Sequence, residues 1–173
     1  MRIPRGVILR KQYQMFDQNR HHPCGRGDFP QCAVRMSVAL GRCDCDFNFS
    51  RWTHGGVHDR QGVCRDLPPH VTGSTELVRY LRDLGLPFQV HTKGRHGRAP
   101  TAQQIRQRVQ GSMGIIYFRH CFDNGGRRGS HIDFWDGQNF MNQVLWVSAG
   151  GAQPASSDLF AEAEREIWFC PTP

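Results

Sequence analysis

No stretch of this chain approaches the length of apolar sequence needed to cross a bilayer, so no membrane insertion is expected. Lysine is almost missing. Lys11 and Lys93 are the only two, and the formal charge of +7 rests nearly wholly on arginine. Those arginines are spread out, with no dense tract and no zinc-finger, homeodomain or RNP pattern, so no nucleic-acid partner is expected. The excess positive charge instead suits an acidic polymer or an acidic protein. Apolar residues are also scarce, at 38 %, while 19 glycines and 10 prolines interrupt them. That balance argues against a bundle of long helices and for a compact core with substantial loops. The opening MRIPRGVILRKQYQMF has an apolar centre of only Val7 to Leu9, too short for a secretory signal. Synthesis in the cytoplasm without a signal peptide is therefore expected.

What is present in quantity is cysteine. Across 173 residues, read here as one domain with residues 1–27 a peripheral extension, there are seven: Cys24, Cys32, Cys43, Cys45, Cys64, Cys121 and Cys170. An odd count leaves one thiol over if the rest pair, and three disulfides would strand Cys32. The rival is metal, with Cys43, Cys45, His54, His58 and Cys64 as the ligand set, although a C-x-C pair suits tetrahedral zinc less well than C-x-x-C.

Cys32 opens the stretch PQCAVRMSVALG, Pro30 to Gly41. Strand alternation and helical spacing both fit it, but Pro30 at the start and Gly41 at the end favour a helix of about three turns. A thiol in that first turn faces unpaired backbone N–H groups and the positive end of the helix field, and both favour the thiolate. A packed, inert cysteine is the other reading.

Elsewhere, Ile8 to Phe16 reads as a short helix or turn with Leu9, Tyr13 and Phe16 on one side. Phe47, Phe49 and Trp52 line a groove or close a satellite core. Thr72 to Leu84 is a helix capped by Ser74, with Leu77, Val78, Leu81 and Leu84 as its stripe. Thr101 caps another, with Ile105 and Val109 inward and Arg106 and Arg108 outward. GIIYF (114–118) and HIDFW (131–135) read as strands, with residues 121–130 a loop between them. Asp136–Gly137 is a turn, a further strand starts at Phe140, and Glu166 to Phe169 closes the chain as a strand. Helices first and an antiparallel sheet after them make an α+β fold.

Cys32 and His131 form a candidate nucleophile and base. The second ring nitrogen of the histidine needs an orienter. Asn142 faces His131 across the hairpin. Asp133 lies on the same strand, one pleat too far, and Asp136 is a third choice from the turn. Arg35, one turn after Cys32, serves either a structural ion pair or a substrate carboxylate. Trp135 serves either core packing or substrate contact. No cofactor is expected.

The stretches CAVRMSVAL, STELVRYLRDLG, SMGIIYF, GSHIDFWDG and EIWFC together resemble the amidase effectors of the type VI secretion system, and among them the fourth amidase group. Its nucleophile helix carries Cys–x–x–Arg–Met–Ser, matched by Cys32, Arg35, Met36 and Ser37. Its later Gly–His–(apolar)–x–(apolar)–Trp–Asn–Gly motif is matched by His131, Ile132, Phe134, Trp135 and Gly137, with Ser130 and Asp136 departing from it. The similarity runs from about residue 28 to residue 170. The resemblance implies a papain-like NlpC/P60 fold and a cysteine amidase that cuts the γ-D-glutamyl–meso-diaminopimelate bond of peptidoglycan stem peptides. It also implies a cognate immunity protein that plugs the cleft, and delivery by a secretion apparatus to the periplasm of a target bacterium. The family's third catalytic residue is an aspartate eleven places after the histidine, a position held here by Asn142. The alternatives are a papain-like protease or deamidase acting on another substrate, or a non-enzymatic, basic, cysteine-rich binding module.

Overall fold

Two helix-capping devices frame much of the chain's regular structure, and both are written in short sequence motifs. The structure is a computed structural model. It describes residues 3–18, 31–43, 47–49, 63–64, 70–92, 100–124, 127–141, 159–163 and 166–173. The chain forms two compact units, residues 1–86 with 172–173, and residues 87–171.

The first unit contains α1 (Gly6–Gln18), α2 (Gln31–Arg42), β1 (Val63–Cys64), β2 (His70–Val71) and α3 (Ser74–Asp83). The stretch that alternation and helical spacing both fitted is helical, as Pro30 and Gly41 indicated. α2 packs against α1, β2 and α3, and every residue from Cys32 to Leu40 is buried. α1 lays Leu9 and Tyr13 inward, while Val7, Ile8 and Met15 face outward; the Phe16 side chain lies outside the described residues. The N–H of Gly6 donates to the carbonyl of Pro173 at 2.8 Å, fastening the start of α1 to the end of the chain.

α3 starts one residue earlier than a Ser74 cap requires. Gly73 is its N-cap, with no side-chain capping bond, and the carboxylate of Glu76 lies against Gly73 instead. That places an acid in the first turn, where the helix field favours it. The C-terminus closes as a Schellman motif: Gly85 N–H donates to Arg82 O and Leu86 N–H to Leu81 O. Gly85 sits at φ +85°, a left-handed conformation that glycine adopts without penalty. Phe47 and Phe49 are buried, and Phe49 meets the Tyr80 ring at 4.9 Å, so they close a satellite core. Trp52 lies outside the described residues.

The second unit is a four-stranded antiparallel sheet with two helices. Its elements are β3 (Gln89–Thr92), α4 (Ala102–Val109), β4 (Gly114–Asn124), β5 (Arg127–Trp135), α5 (Leu159–Glu162) and β6 (Glu166–Pro171). The strand order is β3-β6-β4-β5, so the last strand inserts between the first two. α4 begins with a complete capping box: Gln104 N–H donates to Thr101 Oγ1, and Thr101 N–H donates to Gln104 Oε1. Ile105 and Val109 are inward and Arg106 and Arg108 outward, as their spacing predicted. Ile105, Val109, Ile116, Phe118, Trp135, Phe160, Ile167 and Phe169 make one core between the sheet and the helices. Gly114 permits the close approach of β4 to β6, since a side chain there would strike the Cys170 carbonyl and the Phe169 ring.

Residues 121–130, expected to be a loop, are largely strand. β4 and β5 continue past a bulge between Phe118 and Phe122 and pair as far as Asn124 with Arg127. Backbone pairing there overrides a polar, glycine-containing sequence with no apolar alternation. Phe140, expected to start a strand, makes an isolated bridge to Trp135.

Candidate functional site

α2 puts Cys32 at its second residue, in the first turn, with 7 % of its surface exposed. A thiol there is close to N–H groups that have no carbonyl partner within the helix. Arg35 and Ser37 follow on the same helix, both buried. The Ser37 hydroxyl donates to Val34 O at 3.0 Å and accepts the N–H of Val71 at 2.9 Å. Ser37 therefore joins the cysteine-bearing helix to β2, a structural task.

β5 supplies the histidine. His131 pairs with Phe118 across the β4–β5 ladder, immediately before the bulge. Within that bulge His120 adopts φ +53°, and its N–H donates to the Ser130 hydroxyl at 3.1 Å. Ser130, which departs from the family's glycine and directly precedes His131, thus ties its strand to the bulge.

His131 and Asp133 are both buried, at 0 % and 1 % exposure. Nε2 of His131 lies 3.3 Å from Oδ2 of Asp133. The other carboxylate oxygen, Oδ1, accepts the N–H of Phe134 at 2.7 Å. The expectation that Asp133 stands one pleat too far is therefore corrected. Residues i and i+2 of a strand share a face, about 7 Å apart along the chain, and side chains leaning along the strand close that gap.

The remaining candidates separate. Asn142 lies outside the described residues. Asp136 organises the turn, its Oδ1 accepting the N–H groups of Gln138 and Asn139 at 2.9 and 2.7 Å. Trp135 is a packing residue. Its Nε1–H donates to Val109 O at 3.0 Å, and its ring meets Phe140 at 4.9 Å and Phe160 at 5.7 Å. Of the zinc set, Cys43 is buried, while the side chains of Cys45, His54, His58 and Cys64 lie outside the described residues. No cluster of three potential ligands occurs among the described residues.

The three-disulfide framework is also corrected. Cys43, Cys121 and Cys170 are in no disulfide, nor is Cys32, and Cys24 lies outside the described residues. All four thiols are buried. Burial pushes the Cys170 thiol up to about 12, so it is protonated at neutral pH and poorly nucleophilic.

Two contributors escaped the sequence: the Phe134 backbone N–H, which carries no side-chain signal, and Ser130, whose partner exists only because of the bulge. A polar residue flanking the histidine was the one visible hint.

The family described as "Type VI secretion system (T6SS), amidase effector protein 4" (Tae4) matches residues 30–170. The chain is similar in fold to Tae4 from Salmonella typhimurium, crystallised with the immunity protein Tai4 from Enterobacter cloacae. The TM-score is 0.61 at 16 % identity, covering 98 % of this chain and 99 % of that one. It is similar also to Tae4 from Enterobacter cloacae, with a TM-score of 0.56 at 12 % identity over the whole of both chains. The Tae4–Tai4 complex from Enterobacter cloacae gives 0.54 at 16 % identity, again over both whole chains. No curated protein matches the sequence.

Proposed function

This chain belongs to the amidase effector protein 4 family of the type VI secretion system, and on that premise we propose that it is a cysteine amidase of bacterial cell-wall peptides. Its proposed arrangement is the papain-like one of NlpC/P60 enzymes. The proposed substrate is the peptidoglycan stem peptide, cut between γ-D-glutamate and meso-diaminopimelate. The observation that carries this reading is that the family match, residues 30–170, takes in both Cys32 at the head of a helix and His131 in a buried pair with a carboxylate.

In the proposed reaction His131 takes the Cys32 proton, and the thiolate attacks the amide carbonyl. The tetrahedral oxyanion is received by backbone N–H groups at the start of α2, that of Cys32 among them. Collapse breaks the C–N bond, His131 hands its proton to the departing amine, and a thioester remains on Cys32. Water, deprotonated by His131, then hydrolyses the thioester and restores the thiol. The net charge of +7 suits an acidic wall polymer.

The proposed setting is the periplasm of a target bacterium, reached through the secretion apparatus from a producing cell that a cognate immunity protein protects. The co-crystallised Tae4–Tai4 pairs support that last point. The test is digestion of purified sacculi followed by mass spectrometry of the muropeptides. A new free amine on diaminopimelate, lost in Cys32→Ala and His131→Ala, supports the reading; intact stem peptides with folded wild-type protein overturn it.

A further inference from the structure

We infer that Asp133 is the positioning residue of the site, the carboxylate that fixes the ring of His131, an inference that rests on the cysteine-amidase reading above. Three observations converge on it. The two side chains are almost wholly buried and 3.3 Å apart, Nε2 to Oδ2. The carboxylate is itself held, because Phe134 N–H donates to Oδ1 at 2.7 Å. Its neighbour across the ladder is Ile116, a buried apolar residue, so water does not weaken the pair.

The chemistry follows from the ring. A carboxylate only accepts, so Nε2 carries the proton, and Nδ1 is the nitrogen left with a lone pair to act as base. When the thiol gives up its proton, the imidazolium that forms sits beside a buried negative charge and is stabilised by it. Asn142, the position favoured by sequence spacing, has a neutral amide and offers orientation without that charge. Asp133 touches neither substrate nor sulfur in this scheme and acts only through His131. Sequence spacing ranked it low because a pleat separates i from i+2; the carboxylate reaches along the strand because Phe134 N–H holds it there.

The test compares Asp133→Asn with Asn142→Ala in hydrolysis of sacculi, with each variant's fold checked by circular dichroism. The result expected is a fall in kcat of about 10²- to 10⁴-fold for Asp133→Asn with KM little changed, and a fall at least tenfold smaller for Asn142→Ala. Retention of kcat within about threefold by folded Asp133→Asn, or a larger loss in Asn142→Ala, overturns the inference. A second measurement does not depend on turnover or on the folding of Asp133→Asn. In Cys32→Ala protein labelled with ¹⁵N-histidine, the neutral His131 ring is expected as the Nε2–H tautomer; an Nδ1–H tautomer overturns the pairing. If wild-type protein leaves sacculi untouched, the wall-amidase reading fails, and the tautomer alone decides whether Asp133 orients the ring.

Discussion

The hydroxyl of Ser37 accepts the N–H of Val71 at 2.9 Å across 34 residues of sequence, inside a fully buried environment. It is one of the polar links between the cysteine-bearing helix and the rest of its unit. Removing it leaves a buried backbone donor unsatisfied. Ser37→Ala is therefore expected to lose about 1–3 kcal/mol of stability in urea unfolding. An unchanged midpoint would mean that the Val71 N–H finds another acceptor.

The bulge beside His131 makes a second expectation. His120 stands at φ +53°, where a β-branched residue is strained and glycine is not. His120→Val is expected to cost about 1–2 kcal/mol, while His120→Gly leaves stability level or raises it. Equal losses in both would show that the side chain, not the backbone, matters there.

The pH dependence of stability turns on His91 of β3. Burial and, after it, the charge of Arg108 hold this imidazole below its ordinary value. Above about pH 6.5 the ring is neutral in folded and unfolded chains alike and its contribution is complete. As the pH falls through that value the unfolded chain takes up the proton first, and stability declines until the folded ring titrates too. His91→Gln, with no proton to gain, is expected to show a shallower fall in melting temperature between pH 7 and pH 5. Parallel curves for the two proteins would contradict this.

How much of this was legible depended on the range of the interaction. The α4 helix was readable because Thr101 and Gln104 cap it within three residues and Ile105 and Val109 repeat at helical spacing. α2 was readable from the proline before it and the glycine near its end, although the helix runs one residue past Gly41. The cap of α3 slipped by one residue because Glu76 replaces the serine bond that the sequence suggested. The insertion of β6 between β3 and β4 had no local sign, since strand order is settled by side chains far apart in sequence. The same limit governed the site. The proposed nucleophile and base, Cys32 and His131, are marked in the sequence by residue type and neighbours. The role inferred for Asp133 depends on a backbone N–H that no side-chain pattern records.

The most direct test of the central claim uses a defined peptide, L-alanyl-γ-D-glutamyl-meso-diaminopimelate, incubated with wild-type protein and with Cys32→Ala. The account predicts that wild-type protein releases free diaminopimelate and the L-alanyl-D-glutamate dipeptide, and that Cys32→Ala, equally folded, releases neither. An intact peptide with the wild type, or equal release by the two proteins, would contradict it.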